Sequence, residues 1–210
     1  MKYFLTTLLF LFSFSVFSEE YKFEQFDLNG NHTQEGVVIA FEKDTKRYKF
    51  EVDVNGINNG YEFSSSVDIV DGLNIWDIHD RRDPRGISIF TWLIDPKIYH
   101  VGFETTEIQT LDKNHPFFKS QGWVFNTRVE KKESLNIGDK KYETIFFHTK
   151  GQRPTGPTHP GACYFNQTGV IEVFSWFDSS NGKLIKQIFD KRHCIPDQNR
   201  LLSREILTLK

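Results

Sequence analysis

In Tyr48-Lys49-Phe50-Glu51-Val52-Asp53-Val54 every second residue is apolar and the residues between them are charged. Side chains on an extended backbone point alternately to opposite faces, so this stretch predicts a strand with one wet face. The same alternation sets Trp123, Phe125 and Val129 against Asn126, Arg128 and Glu130. Other runs, Ile145-Phe146-Phe147 and Val170 to Phe177, are apolar at neighbouring positions and predict strands covered on both faces. Between the runs stand Asn29-Gly30, Asn55-Gly56, Asn59-Gly60, Asp71-Gly72 and Asn181-Gly182, dipeptides that accept the positive φ of tight hairpin turns. Gly138-Asp139 separates two further strand-like runs, and Leu201 to Leu209 reads as a last strand. No helical period is visible beyond the N-terminal segment. Short strands joined by tight turns imply an all-β fold, a mainly antiparallel meander arranged as a curved sheet, a half-barrel or a sandwich.

The N-terminus constrains the compartment. Met1-Lys2-Tyr3 carries one positive charge, an apolar run extends from Phe4 to Phe17, and Ser18 precedes Glu19 and Glu20. This is the layout of a secretory signal peptide, with cleavage expected after Ser18. The run is shorter than the ~20 residues of a spanning helix, and no other stretch is long and apolar enough to span. Residues 19–210 are then expected to form one β-rich domain, periplasmic or secreted. Cys163 and Cys194 are the chain's two cysteines. In an oxidising compartment an even pair implies a disulfide. Closing a loop of about 30 residues, it would contribute about 3–4 kcal/mol in the chain-entropy model. A net charge of −2 with interspersed acids and bases gives no electrostatic case for nucleic acid.

Two segments interrupt the strand pattern. Gly151 to Gly161 holds three prolines and three glycines, reads as a loop, and leads into Cys163. Asp77 to Gly86 contains Asp77, His79, Asp80 and Asp83, the one cluster with metal-ligand or acid–base chemistry, beside Arg81, Arg82 and Arg85. Its bland alternative is a charged hairpin tip. No P-loop, dinucleotide fingerprint, HExxH or nucleophile-elbow pattern is present, and no cofactor is implied. The 21 Phe, 7 Tyr and 4 Trp are ordinary core residues in a closed sandwich; on a curved open sheet Phe146, Phe147, Phe174, Trp176 and Phe177 are candidates to line a groove for an apolar ligand.

The stretch from Glu133 to Ile145, followed by Trp176-Phe177-Asp178-Ser179-Ser180-Asn181-Gly182-Lys183-Leu184-Ile185-Lys186, resembles uncharacterised bacterial periplasmic proteins. In these, an aromatic pair and an acid or serine lead through a short turn to Gly and a basic–aliphatic–aliphatic–basic run. The resemblance spans residues 133–189 and implies a half-barrel like that of lipoprotein carriers, with no catalytic residues. The expected function is an exported, non-catalytic envelope protein that binds an apolar or polymeric ligand or a protein partner. The alternative is a secreted metal-assisted or acid–base hydrolase centred on residues 77–83.

Overall fold

The computed structural model describes residues 18–44, 47–54, 57–59, 65–66, 75–80, 83–90, 93–109, 123–152, 168–193 and 200–210. The signal segment up to Phe17, both cysteines and residues 153–161 of the Pro/Gly segment lie outside the described residues, as do the side chains of 40–92, 107–109, 123, 168–169 and 193.

The strands are β1 (Ser18–Asp27), β2 (His32–Asp44), β3 (Arg47–Val54), β4 (Ile57–Asn59), β5 (Ser65–Ser66), β6 (Ile75–Asp80), β7 (Asp83–Phe90), β8 (Glu104–Gln109), β9 (Trp123–Ile137), β10 (Lys140–Gln152), β11 (Thr168–Asp178), β12 (Leu184–His193) and β13 (Leu201–Leu209). Among the described residues there is no helix. Eleven strands form one antiparallel sheet in the order β4-β3-β2-β1-β13-β12-β11-β10-β9-β8, with β5 paired to β3. The sheet is open and curved. Two meanders meet where β1 pairs with β13, Tyr21 opposite Leu209 through Asp27 opposite Ser203. The terminal strand read from Leu201 to Leu209 is therefore central, paired on both sides.

Several strands are longer than the short elements expected. β9 has 15 residues and β10 has 13. Bulges let such strands follow a curved sheet. One falls between Phe146 and Phe147, where Lys131 and Val129 are the partners and Glu130 is the extra residue. Another falls between Trp176 and Phe177, where Lys186 and Leu184 are the partners and Ile185 is extra. Two expectations are corrected. Asp77 to Asp80 and Asp83 to Gly86 are no break, since they belong to the paired strands β6 and β7, with Asp80 in register with Asp83. Gly151 and Gln152 belong to β10. Gly151 faces Phe125 in register, and a Cβ there would stand 2.2 Å from that ring, so the aromatic fills the space beside a strand glycine.

The inner face of the sheet is the core. Tyr21, Phe23, Val38, Val129, Ile145, Phe147, Phe177, Leu184 and Leu207 pack there as one buried cluster. Phe125, Ile171, Val173 and Phe189 continue it as a second. Residues 93–103 lie across the first cluster as a strap, inserting Ile94 and packing Leu93, Tyr99 and Phe103 against it. Both ends of the strap are hydrogen-bonded to the sheet. Ile94 N–H donates to Gly182 O at 3.0 Å, and Gly102 N–H donates to Val129 O at 2.9 Å. The Gly182 position is fixed from two directions: φ is +75°, and a Cβ would lie 1.8 Å from the Ile94 carbonyl oxygen. A left-handed turn and a close backbone approach both demand glycine. Beneath the strap, the buried Tyr21 hydroxyl donates to Leu184 O at 2.8 Å, which leaves its ring free to pack in an apolar core.

Candidate functional site

Period two splits the five candidate aromatics between the faces. Phe147 and Phe177 point inward, 1% and 0% exposed, with ring centroids 5.2 Å apart. Phe146, Phe174 and Trp176 point outward from the same two strands. Phe146 is opposite Trp176 in register, with centroids 4.8 Å apart, and is parallel to Phe174 at 6.3 Å. Phe174 in turn is opposite His148, and the two rings stack at 4.8 Å with 15° between their planes. On the other side Phe174 is opposite Ile188, and Ile188 is opposite Ile206. Phe174, Trp176, Ile188 and Ile206 are all half-buried, and Phe146 beside Trp176 is buried. The outer face thus carries an apolar strip across β10 to β13.

Charged groups border the strip, and register decides how they pair. On one side, Trp176 Nε1 donates to Glu133 Oε1 at 2.8 Å, while Lys131 Nζ stands 2.8 Å from Glu133 Oε2. The Lys131 ammonium, and then the indole N–H, hold the Glu133 carboxyl below the usual glutamate range. Lys131 also lies 5.3 Å from the Phe146 centroid. On the other side a ladder of ions crosses the strands. Arg204 grips Asp190 with two hydrogen bonds of 2.7 Å, and Arg192 reaches the same carboxylate at 3.2 Å and Glu172 at 2.7 Å. Asp190 is fully buried, and its hydrogen bonds raise the Arg204 guanidinium above its ordinary value. The ladder continues to His148, whose Nε2 is 3.8 Å from Glu172 and whose Nδ1 is 3.2 Å from Glu130. The bulge at Glu130 is what brings an acid beside the imidazole. Beyond His148 an open polar recess of about 310 Å³ is lined by Glu104, Thr106, Asn126, Arg128, Glu130 and Lys150 among others.

The backbone places Asp77, His79 and Asp80 on β6 and Asp83 at the start of β7; their side chains lie outside the described residues. Among the described residues, no group of three or more His, Cys, Asp or Glu stands where it could hold a metal ion. The ion ladder and the position of Lys186 escape sequence reasoning. Their one signal is the charged alternation Lys186, Asp190, Arg192 along β12 and Arg204 on β13, and which acid meets which base depends on a register that no single strand records.

The described residues define a class: an open antiparallel half-barrel sheet, apolar inside beneath a strap, with an aromatic strip and paired charges outside. Among the described residues no helix is long and apolar enough to cross a membrane. No family model matches the chain, and no curated protein matches it. Among solved structures the chain is similar to the crystal structure of the hypothetical lipoprotein YmcC from Escherichia coli (K12). The identity is 13% and the TM-score 0.42, covering 90% of this chain and 86% of that one.

Proposed function

We propose that this chain is an exported, non-catalytic envelope protein whose outer sheet face receives an apolar ligand. One observation carries the reading: Phe174, Trp176, Ile188 and Ile206 form a contiguous half-exposed strip on the face opposite the core. The inner-face Phe147 and Phe177 are 1% and 0% exposed, so the partly exposed outer strip is the apolar surface a ligand could reach. Contiguous exposed apolar surface on a folded chain marks an interaction site. Export is supported by the Lys2, Phe4-to-Phe17 and Ser18 layout, and a Cys163–Cys194 bridge suits that compartment.

The test is uptake of the neutral dye Nile red by the folded mature protein. Bright emission is expected from the wild type and from Phe147→Leu, whose change is confined to the core. Trp176→Ser and Phe174→Ser should lose most of the emission while keeping a wild-type circular dichroism spectrum. A folded wild type that takes up no dye overturns the reading. N-terminal sequencing of exported protein, expected to begin at Glu19, and thiol labelling under denaturing, non-reducing conditions, expected to find none, check the other two parts.

A further inference from the structure

We propose that Lys186 is the anion-recognising residue of the outer strip, so that the ligand carries an acidic group, a carboxylate, sulfonate or phosphate, beside its apolar body. This rests on the apolar-ligand reading above and gives that ligand a chemistry and an orientation.

Most cations that border the strip are already used, and Lys150 stands apart in the polar recess beyond His148. Lys131 is neutralised by Glu133 at 2.8 Å, and that carboxylate is itself held by the Trp176 indole. Arg192 and Arg204 share the buried Asp190, and Arg192 also holds Glu172. Lys22, farther along the same row, pairs with Glu24 at 2.7 Å. Lys186 differs from these. It is opposite Trp176 in register, with its amine 5.8 Å from that ring's centroid, and it has no carboxylate partner among the described residues. It is half-buried, with its ammonium over the Trp176 ring.

An unpaired ammonium against an aromatic ring next to open apolar surface complements an amphiphile bearing one negative charge. The apolar body would lie across Phe174, Ile188 and Ile206, and the acid would meet Lys186 at the Trp176 corner. On the other side of the same indole, Lys131 and Glu133 cancel each other, so of the charged groups around Trp176 it is Lys186 that offers an acidic group a net positive charge. Glu133 acts as a positioning residue: its bond to Nε1 fixes the plane of the indole against which Lys186 lies.

The experiment compares two probes on the full mature chain: neutral Nile red and the anionic dye 1-anilinonaphthalene-8-sulfonate. Lys186→Met keeps most of the stem and removes the charge. It should weaken the anionic dye by about fivefold, the upper range for one exposed ion pair, and leave Nile red affinity essentially unchanged. Lys186→Glu should weaken the anionic dye further, and Lys131→Met should weaken it far less than Lys186→Met. Equal weakening of both dyes by Lys186→Met overturns the assignment. So does a loss of the anionic dye caused instead by Lys131→Met, or by Lys150→Met in the neighbouring recess. These outcomes leave the strip standing, whereas a wild type that binds neither dye overturns the strip itself.

Discussion

Replacing Gly182 by Ala should loosen the strap over the core, and the cost can be worked from the structure. At φ +75° an alanine bears a left-handed penalty of about 1 kcal/mol. Its Cβ would also lie 1.8 Å from the Ile94 oxygen and 2.9 Å from the Ile94 carbonyl carbon. Real Cβ contacts do not come that close, and the obstruction is backbone, so the strap must move. Moving it breaks the Ile94 N–H to Gly182 O bond, worth about 1 kcal/mol. It also partly re-exposes Ile94, now 3% exposed, at about 1–2 kcal/mol. The expected loss is about 3–4 kcal/mol. Gly138→Ala is the control, since Gly138 has φ +55° with no heavy atom within 4 Å of its Cβ position. It should cost about 1 kcal/mol, and the gain from stiffening the unfolded chain is common to both variants. Urea unfolding gives the two free energies. Thermal unfolding should show Gly182→Ala melting about 10 °C lower, at a few degrees per kcal/mol for a domain this size. Amide exchange at Ile94 should quicken in Gly182→Ala alone. Equal costs for the two variants, or unchanged exchange at Ile94, would refute the claim that this glycine seats the strap.

Phe147→Ala should cost about 3–5 kcal/mol in chemical denaturation, as an inner-face ring 1% exposed, against about 1 kcal/mol for the half-buried Phe174→Ala; comparable losses would contradict the division between faces. Asp190→Ala should cost about 2–3 kcal/mol, because it removes the fully buried bidentate partner of Arg204 while Arg192 keeps Glu172, discounted because Arg204 is 39% exposed; equilibrium unfolding that finds less than half of this would mean solvent already screens the ladder. The Glu133 carboxyl is held below its ordinary value, first by Lys131 and then by Trp176. A depressed folded pKa gives stabilisation that is present above the unfolded value and lost as pH falls through the folded one. The Trp176 indole N–H resonance should therefore hold through the ordinary glutamate range and shift only at lower pH, and a shift centred within that range would show that Glu133 is not so held.

The sequence by itself determined the strands and their turns. Alternation over residues 48–54 and 123–130, the apolar runs at 145–147 and 170–177, and the dipeptides Asn29-Gly30 and Asn181-Gly182 fall in β3, β9, β10, β11 and the turns between strands. These signals are local: a period of two and a positive φ need only a few consecutive residues. Tertiary structure alone decided three things. The pairing of β1 with β13 joins residues 176 to 188 positions apart, and no local pattern encodes it. Which member of Phe146-Phe147 and of Trp176-Phe177 points inward follows from which side of the β10–β11 pair packs on the core, a choice that period two alone leaves open. The charge balance around the strip depends on cross-strand neighbours: Lys131 has Glu133 and Arg204 has Asp190, while Lys186 has an indole. All three cations look alike in the sequence, and only the sheet leaves one of them unpaired.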